Sequence, residues 1–234
     1  MRALILSGGI YHDFPALSAD LAGMLEAGCI AAQTVTDPEA LVSPLIAGVD
    51  LLVVQALRWR MLGHDKYIPF RAEWAFSPSP GLRAAIADHV ARGGGLLVLH
   101  TGVICFDDWP EWAQIIGGAW VWGQSNHPLP QGAQVTLAAP HSITDGAQGF
   151  ALTDEVYRDL ALAPDAKVLA VARADEEPGT AAHPAIWTHG FGAGRVVVDT
   201  LGHDPASLRH PTHARILRRA AVWAAGQQQE KDVA

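Results

Sequence analysis

Gly93-Gly94-Gly95-Leu96-Leu97-Val98-Leu99-His100-Thr101-Gly102 decides the fold. Leu96 to Leu99 is an unbroken apolar run, which reads as a strand buried on both faces of a parallel sheet. The chain turns sharply at His100-Thr101-Gly102 and enters a helical pattern a few residues later. A strand-to-helix turn of this kind lifts one side chain above the carboxyl end of the sheet, where open α/β folds keep their sites. Here that side chain is His100.

Moving outward, Ala3 to Leu6, Ala31 to Val35 and Asp50 to Val54 read as three earlier strands. A helix over Ala16 to Ala27 separates the first two, with Pro15 in its first turn and Gly28 as its stop. Asp37 is an N-cap for a helix between the second and third strands. Gln55 to Pro80 is a long irregular connection that carries Trp59, Lys66, Tyr67 and Trp74 among others; loops of that length are usually functional or mobile, and a lid, an oligomer contact and plain surface all fit. Helices follow over Pro80 to Arg92, Trp109 to Ile116 and Pro211 to Ala225. Val135 to Ala138, Lys167 to Arg173, Pro184 to Thr188 and Arg195 to Asp199 are further strands, and Thr153 to Tyr157 is another extended segment. Between Arg173 and Pro184 the run Asp175-Glu176-Glu177-Pro178-Gly179 is a solvated loop. The early strand-helix-strand order predicts an α/β, doubly wound, mainly parallel sheet with helices on both faces. The short connections later in the chain predict an added antiparallel β portion. One domain over 1–226 is expected, with a polar tail over 227–234.

Composition narrows the function. Half the residues are hydrophobic, enough for one sizeable core in a chain of 234 residues. A net charge of -8 argues against nucleic acid and anionic membranes as partners. No apolar run approaches the roughly 20 residues that span a bilayer. The two cysteines, Cys29 and Cys105, form neither a metal spacing nor a disulfide framework, so a reducing, cytoplasmic setting is expected. Arg215, Arg218 and Arg219 read as a solvated helix face. The Ser7-Gly8-Gly9 turn lacks a full Gly-x-Gly-x-x-Gly and any Walker lysine, so it is not read as a phosphate loop.

Eleven histidines and eight tryptophans are the unusual counts. Histidine is suited to proton transfer near neutral pH, and tryptophan gives flat area for stacking, sugar faces included. His12 follows the first strand and His203 a late one, so both should open where His100 does. Glu155 and Tyr157 share a strand parity and therefore a face. Trp122 and His127 lie on the loop after the elbow helix.

Several stretches in order resemble one family: Ser7-Gly8-Gly9 with Tyr11-His12-Asp13, Gly93 to Gly102, Gly117-Gly118 with His127, Asp154-Glu155-Val156-Tyr157, Gly192-Ala193-Gly194-Arg195 through Leu201-Gly202-His203-Asp204, and Trp223-Ala224-Ala225-Gly226. Over about Ala3 to Gly226 the sequence resembles the ThuA-like family, named for trehalose utilisation. The resemblance implies a flavodoxin-like fold similar to class I glutamine amidotransferases. Those enzymes carry cysteine at the elbow; here His100 stands there, which argues against thiol acyl-enzyme chemistry and against amidotransferase activity. Cys105 is read as a packed thiol.

The resemblance implies carbohydrate catabolism, with a sugar or keto-glycoside substrate and hydrolysis or isomerisation as the reaction. His100, His203 and Glu155 are the catalytic candidates. His12, His127, Tyr157, Trp122 and Thr101 are the substrate-binding candidates. No close carboxylate pair for standard glycoside hydrolysis stands out. A sugar-binding or regulatory module and a metal-dependent hydrolase are the alternatives. His12, His100, His127, His203 and Glu155 offer ligands suited to a divalent metal, although no short metal-binding spacing occurs, so no cofactor is assigned. A small carbohydrate is the expected partner, and the long connection admits a homodimer.

Overall fold

The structure, a computed structural model, describes residues 1–42, 44–175 and 181–226. The first half alternates strands and helices: β1 Arg2–Gly8, α1 Phe14–Ala27, β2 Ala31–Val35, α2 Pro44–Ala47, β3 Leu51–Ala56, α3 Arg71–Trp74, α4 Pro80–Ala91 and β4 Gly95–Leu99. The second half is richer in strands: α5 Pro110–Ile116, β5 Gly118–Ala119, β6 Gln131–Leu137, β7 Phe150–Asp154, β8 Ala161–Leu162, β9 Lys167–Ala174, β10 His183–Phe191, β11 Gly194–Asp199, α6 Pro205–Arg209 and α7 Pro211–Ala224. The main sheet has the order β2-β1-β3-β4-β11-β10-β9-β6-β7. Its first five strands pair in parallel and the last four are antiparallel additions. The order 2-1-3-4 followed by β11 is the flavodoxin-like arrangement.

Side-chain alternation sorts the sheet residues into two cores. Ile5, Val53, Leu97 and Val197 face Leu17 and Leu21 of α1 and Ile216 and Leu217 of α7. Leu6, Val54, Val98 and Val196 face Leu82 and Ile86 of α4 and Ile115 of α5. Burial on both faces explains why β4 has no polar residue between Gly95 and Leu99.

The carboxyl end of β4 is a sharp turn. His100 has φ of 44°, in the left-handed region that a non-glycine residue rarely adopts, and a 3₁₀ turn, His100–Ile104, follows. Gly102 is required by close approach, because a Cβ there would lie 2.5 Å from the Val54 carbonyl oxygen. Gly102→Ala is therefore expected to cost about 1–3 kcal/mol, seen as a lowered Tm. An unchanged Tm would show that the turn can move off β3.

Four expectations need correction. The Gln55–Pro80 connection is shorter and more structured than expected: β3 extends through Ala56, and a 3₁₀ turn, Asp65–Phe70, and α3 lie within the loop. The extended segment over Thr153 to Tyr157 ends at Asp154, because Asp154 turns its carboxylate onto the Glu155 amide. Asp37 caps a 3₁₀ turn, Pro38–Val42, with its Oδ1 accepting from the Glu39 amide, in place of a longer helix. Arg215 and Arg219 are not simply solvated: they donate to the carbonyls of Gly146 and Ser142. The acidic loop from Glu176 to Gly179 and the tail over 227–234 lie outside the described residues.

Candidate functional site

Strand polarity builds the site. β1, β4, β11 and β7 all end at the same edge of the sheet, since the intervening antiparallel strands alternate in direction. His12 follows β1, His100 ends β4, Glu155 follows β7 and His203 follows β11. Residues far apart in sequence thereby meet at one point. His100 Nε2 lies 3.2 Å from His12 Nε2, 3.3 Å from the Tyr157 hydroxyl and 3.4 Å from Glu155 Oε2. His203 Nδ1 lies 3.3 Å from the same Glu155 oxygen. The other carboxylate oxygen is 3.4 Å from His127 Nδ1.

Backbone carbonyls fix two of the rings. Thr200 O accepts from His100 Nδ1 at 2.7 Å, and Ile10 O accepts from His12 Nδ1 at 3.1 Å. A carbonyl only accepts, so each Nδ1 carries a proton and each ring turns its Nε2 inward. Burial, with His100 beside it, pushes the His12 pKa down to about 4. Contact with the Glu155 carboxylate raises that of His203. Burial opposes charge on Glu155, but the His100 and His203 contacts outweigh it and hold the carboxyl well below its usual range. Burial raises the Tyr157 phenol, so it stays protonated and can donate.

A cavity of about 380 Å³ opens over this cluster. His12, Glu155, Tyr157 and His203 lie among its lining residues, and Thr101 and His127 also reach it. Trp59 and Trp122 stack nearly parallel there, with ring centroids 6.3 Å apart, and Tyr11 and Tyr67 add further aromatic surface. His100 is not at the cavity surface: it is 2 % exposed and lies beneath the lining. The Thr101 hydroxyl donates to Ala56 O, which leaves only its lone pairs for a ligand. A larger groove of about 670 Å³ along Leu137–Gly146 is more open to solvent and has His141 as its only imidazole, so the chemistry is concentrated in the smaller cavity.

All eight residues singled out in the sequence are thus gathered in one place, seven lining the cavity and His100 beneath it. Trp59, Lys66 and Tyr67 also line it; the sequence marked them only as members of the long connection, with no role in the site. Their signal was the aromatic density of the long connection after β3. Asp154 was quoted only as part of a motif, yet it ties the site together. Its Oδ1 accepts from the Glu155 and His203 amides and its Oδ2 from the Gly202 amide and the Ser207 hydroxyl. Cys105 is the packed thiol expected: it is 3 % exposed, donates to Ala56 O, and burial pushes it up to about 12.

A family model described as trehalose utilisation, ThuA, matches residues 2–224. The chain belongs to the ThuA family. Solved structures agree on the fold of this ThuA family member. A ThuA-like protein from Parabacteroides merdae is 19% identical over 99% of this chain and 94% of that one, with a TM-score of 0.77. A protein from Salmonella typhimurium LT2 described as cytoplasmic is 18% identical over 96% of this chain and 97% of that one, with a TM-score of 0.60. A β-galactosidase from Rahnella sp. R3 shares the fold over 95% of this chain but only 31% of its own, at 16% identity and a TM-score of 0.60. No curated protein sequence matches the chain. No helix among the described residues is long and apolar enough to cross a membrane.

Proposed function

We propose that this ThuA family member is a cytoplasmic enzyme of carbohydrate catabolism that hydrolyses or isomerises a sugar or keto-glycoside held in the cavity of about 380 Å³. The observation that carries the reading is the pairing of two surfaces. Aromatic faces from Trp122, Tyr67 and Tyr11 form the walls, with Trp59 packed behind Trp122, and imidazoles and a carboxylate form the floor. Apolar sugar faces stack on aromatic rings, while hydroxyl and carbonyl oxygens need polar partners. On this reading the reacting carbon lies at the floor, against His12, Glu155 and His203, with the rest of the sugar along the walls. His100 acts from below by holding the floor in position. A small neutral carbohydrate is the partner, in keeping with the chain's net negative charge.

The test is turnover of a panel of neutral disaccharides and their keto derivatives, followed by proton NMR. Glu155→Gln and His203→Ala are expected to lower kcat/KM by roughly 10²–10⁴, the range of a lost acid/base or polarising group, with the circular dichroism spectrum unchanged. Wild-type rates in both variants would remove these residues from the reaction. Binding without any turnover by the wild type would instead establish a sugar-binding module.

A further inference from the structure

The floor of the cavity presents an electrostatic problem. His12 and His100 each spend their Nδ1 proton on a backbone carbonyl, so their Nε2 atoms, which carry no proton in the neutral rings, face each other at 3.2 Å. The Glu155 carboxylate adds a third electron-rich atom 3.4 Å from His100 Nε2. His203 Nδ1 is buried, without a hydrogen-bond partner, and directed at the same oxygen. The Tyr157 hydroxyl supplies one proton to this group, which can serve one acceptor only. Electron-rich atoms converging at this separation call for positive charge among them, as a proton on an imidazole or as a metal ion.

We infer that His12 Nε2, His100 Nε2, His203 Nδ1 and a Glu155 carboxylate oxygen hold one divalent transition-metal ion. The distances agree with this. Ligand atoms about 2.1 Å from a metal lie roughly 3.0 Å apart at octahedral corners and roughly 3.4 Å apart at tetrahedral ones. Three separations within the set are 3.2, 3.3 and 3.4 Å, and all four atoms lie within 4.8 Å of one another. The outer contacts also agree: a metal-bound imidazole almost always donates its other N–H to a carbonyl or carboxylate, as His100 does to Thr200 O and His12 to Ile10 O. Three imidazoles and one carboxylate suit zinc, iron or manganese better than calcium or magnesium, which favour all-oxygen sites. An ion held here with a coordination number above four would leave a position for a hydroxyl or carbonyl oxygen of a molecule in the cavity. This inference concerns the same site, but metal binding does not depend on which sugar is processed, or on whether any is.

The experiment uses the full chain, stripped of metal by chelator and titrated calorimetrically with Zn²⁺, Mn²⁺ and Co²⁺, with the visible absorption of the Co²⁺ form as a second readout. One ion per chain is expected for at least one metal. Glu155→Gln and His12→Ala are expected to weaken binding by more than about 100-fold, beyond the loss expected from an outer-sphere partner, and to change the Co²⁺ spectrum. His12 is only partly buried, so its variant should fold even if a His100 variant does not. His141→Ala, altered in the separate groove, is expected to bind as the wild type does. Absence of stoichiometric binding, or binding unchanged in Glu155→Gln and His12→Ala, overturns the inference. Stoichiometric binding without sugar turnover supports the metal site while rejecting the proposed activity.

Discussion

Asp154→Ala is expected to destabilise the chain by about 3 kcal/mol or more and to abolish the site with it. Asp154 is fully buried and accepts four hydrogen bonds, from the amides of Glu155, Gly202 and His203 and from the Ser207 hydroxyl. Hydrogen bonds to a charged group contribute about 1.5–3 kcal/mol each, and donors stranded in the interior add a desolvation cost. The loss is larger than a stability figure because the four donors come from both sides of the site. One side is the end of β7, which carries Glu155. The other is the turn after β11, which carries His203. Removing the carboxylate leaves the His203–Glu155 contact as the polar link between these two segments. Asp154→Asn retains part of the acceptor set, so a smaller Tm change and partial recovery of turnover are expected. Asp154→Ala and Asp154→Asn with equal Tm and equal turnover would show that the carboxylate does not organise the site.

The second large effect is expected at His213. Its ring is fully buried, with Nε2 3.0 Å from Asp199 Oδ2 and Nδ1 2.9 Å from the Ser207 carbonyl oxygen. Both nitrogens face acceptors, so the ring is held as an imidazolium. Burial works against that charge, but Asp199 outweighs it and raises the pKa. His213→Ala leaves the Asp199 carboxylate buried beside only the Leu201 amide, and breaking a buried pair on one side costs about 3–5 kcal/mol. In a chain of this size that is a Tm lowered by roughly 10 °C.

The sign of the pH dependence follows from the raised value. The stabilisation is complete below the ordinary histidine pKa of about 6.5 and is lost as pH rises through the higher folded value. Asp154, across Ser207, adds to the attraction, while His210, whose ring stacks on the same phenylalanine, is the neighbouring group of like kind. His203 is also raised and contributes in the same direction, so the wild-type profile alone does not isolate His213. Thermal melts of wild type and Asp199→Asn from about pH 6 to pH 9 separate the two. The wild-type Tm should fall more steeply across that window, and parallel profiles would exclude the buried pair as the source.

Much of this was legible in the sequence because parallel strands announce themselves. The Leu96–Leu99 run and the His100 turn located β4 and the edge at which the site forms. The same logic placed His12 and His203 after strands of the same polarity. Glu155 and Tyr157 were grouped correctly for the wrong reason. Strand parity predicted a shared face, but β7 has ended by Asp154, and the two side chains meet His100 from an irregular segment. The Asp199–His213 pair was not anticipated. Its only trace was a carboxylate closing the apolar Val196–Val198 run of β11, and nothing local links that residue to a histidine on α7. Trp59 and Tyr67 were seen in the long connection but not assigned to the site, because aromatic residues in a long loop carry no periodicity by which to assign a direction.

The sheet order also bears on how the chain acquires its structure. β4 pairs with β3 on one side and with β11 on the other, where Gly95 stands opposite Arg195, 100 residues later. During synthesis the first four strands can assemble well before β11 has been made. Until then β4, the most apolar strand, is a bare edge, open to pairing with another chain. Closing so long a loop is slow, so this interval is where misassembly competes with folding. His203 arrives only after β11, so the complete cluster cannot exist before that edge is closed. An ion held by the cluster would therefore bind only chains past this stage, and its capture during refolding would report the final docking of the two halves.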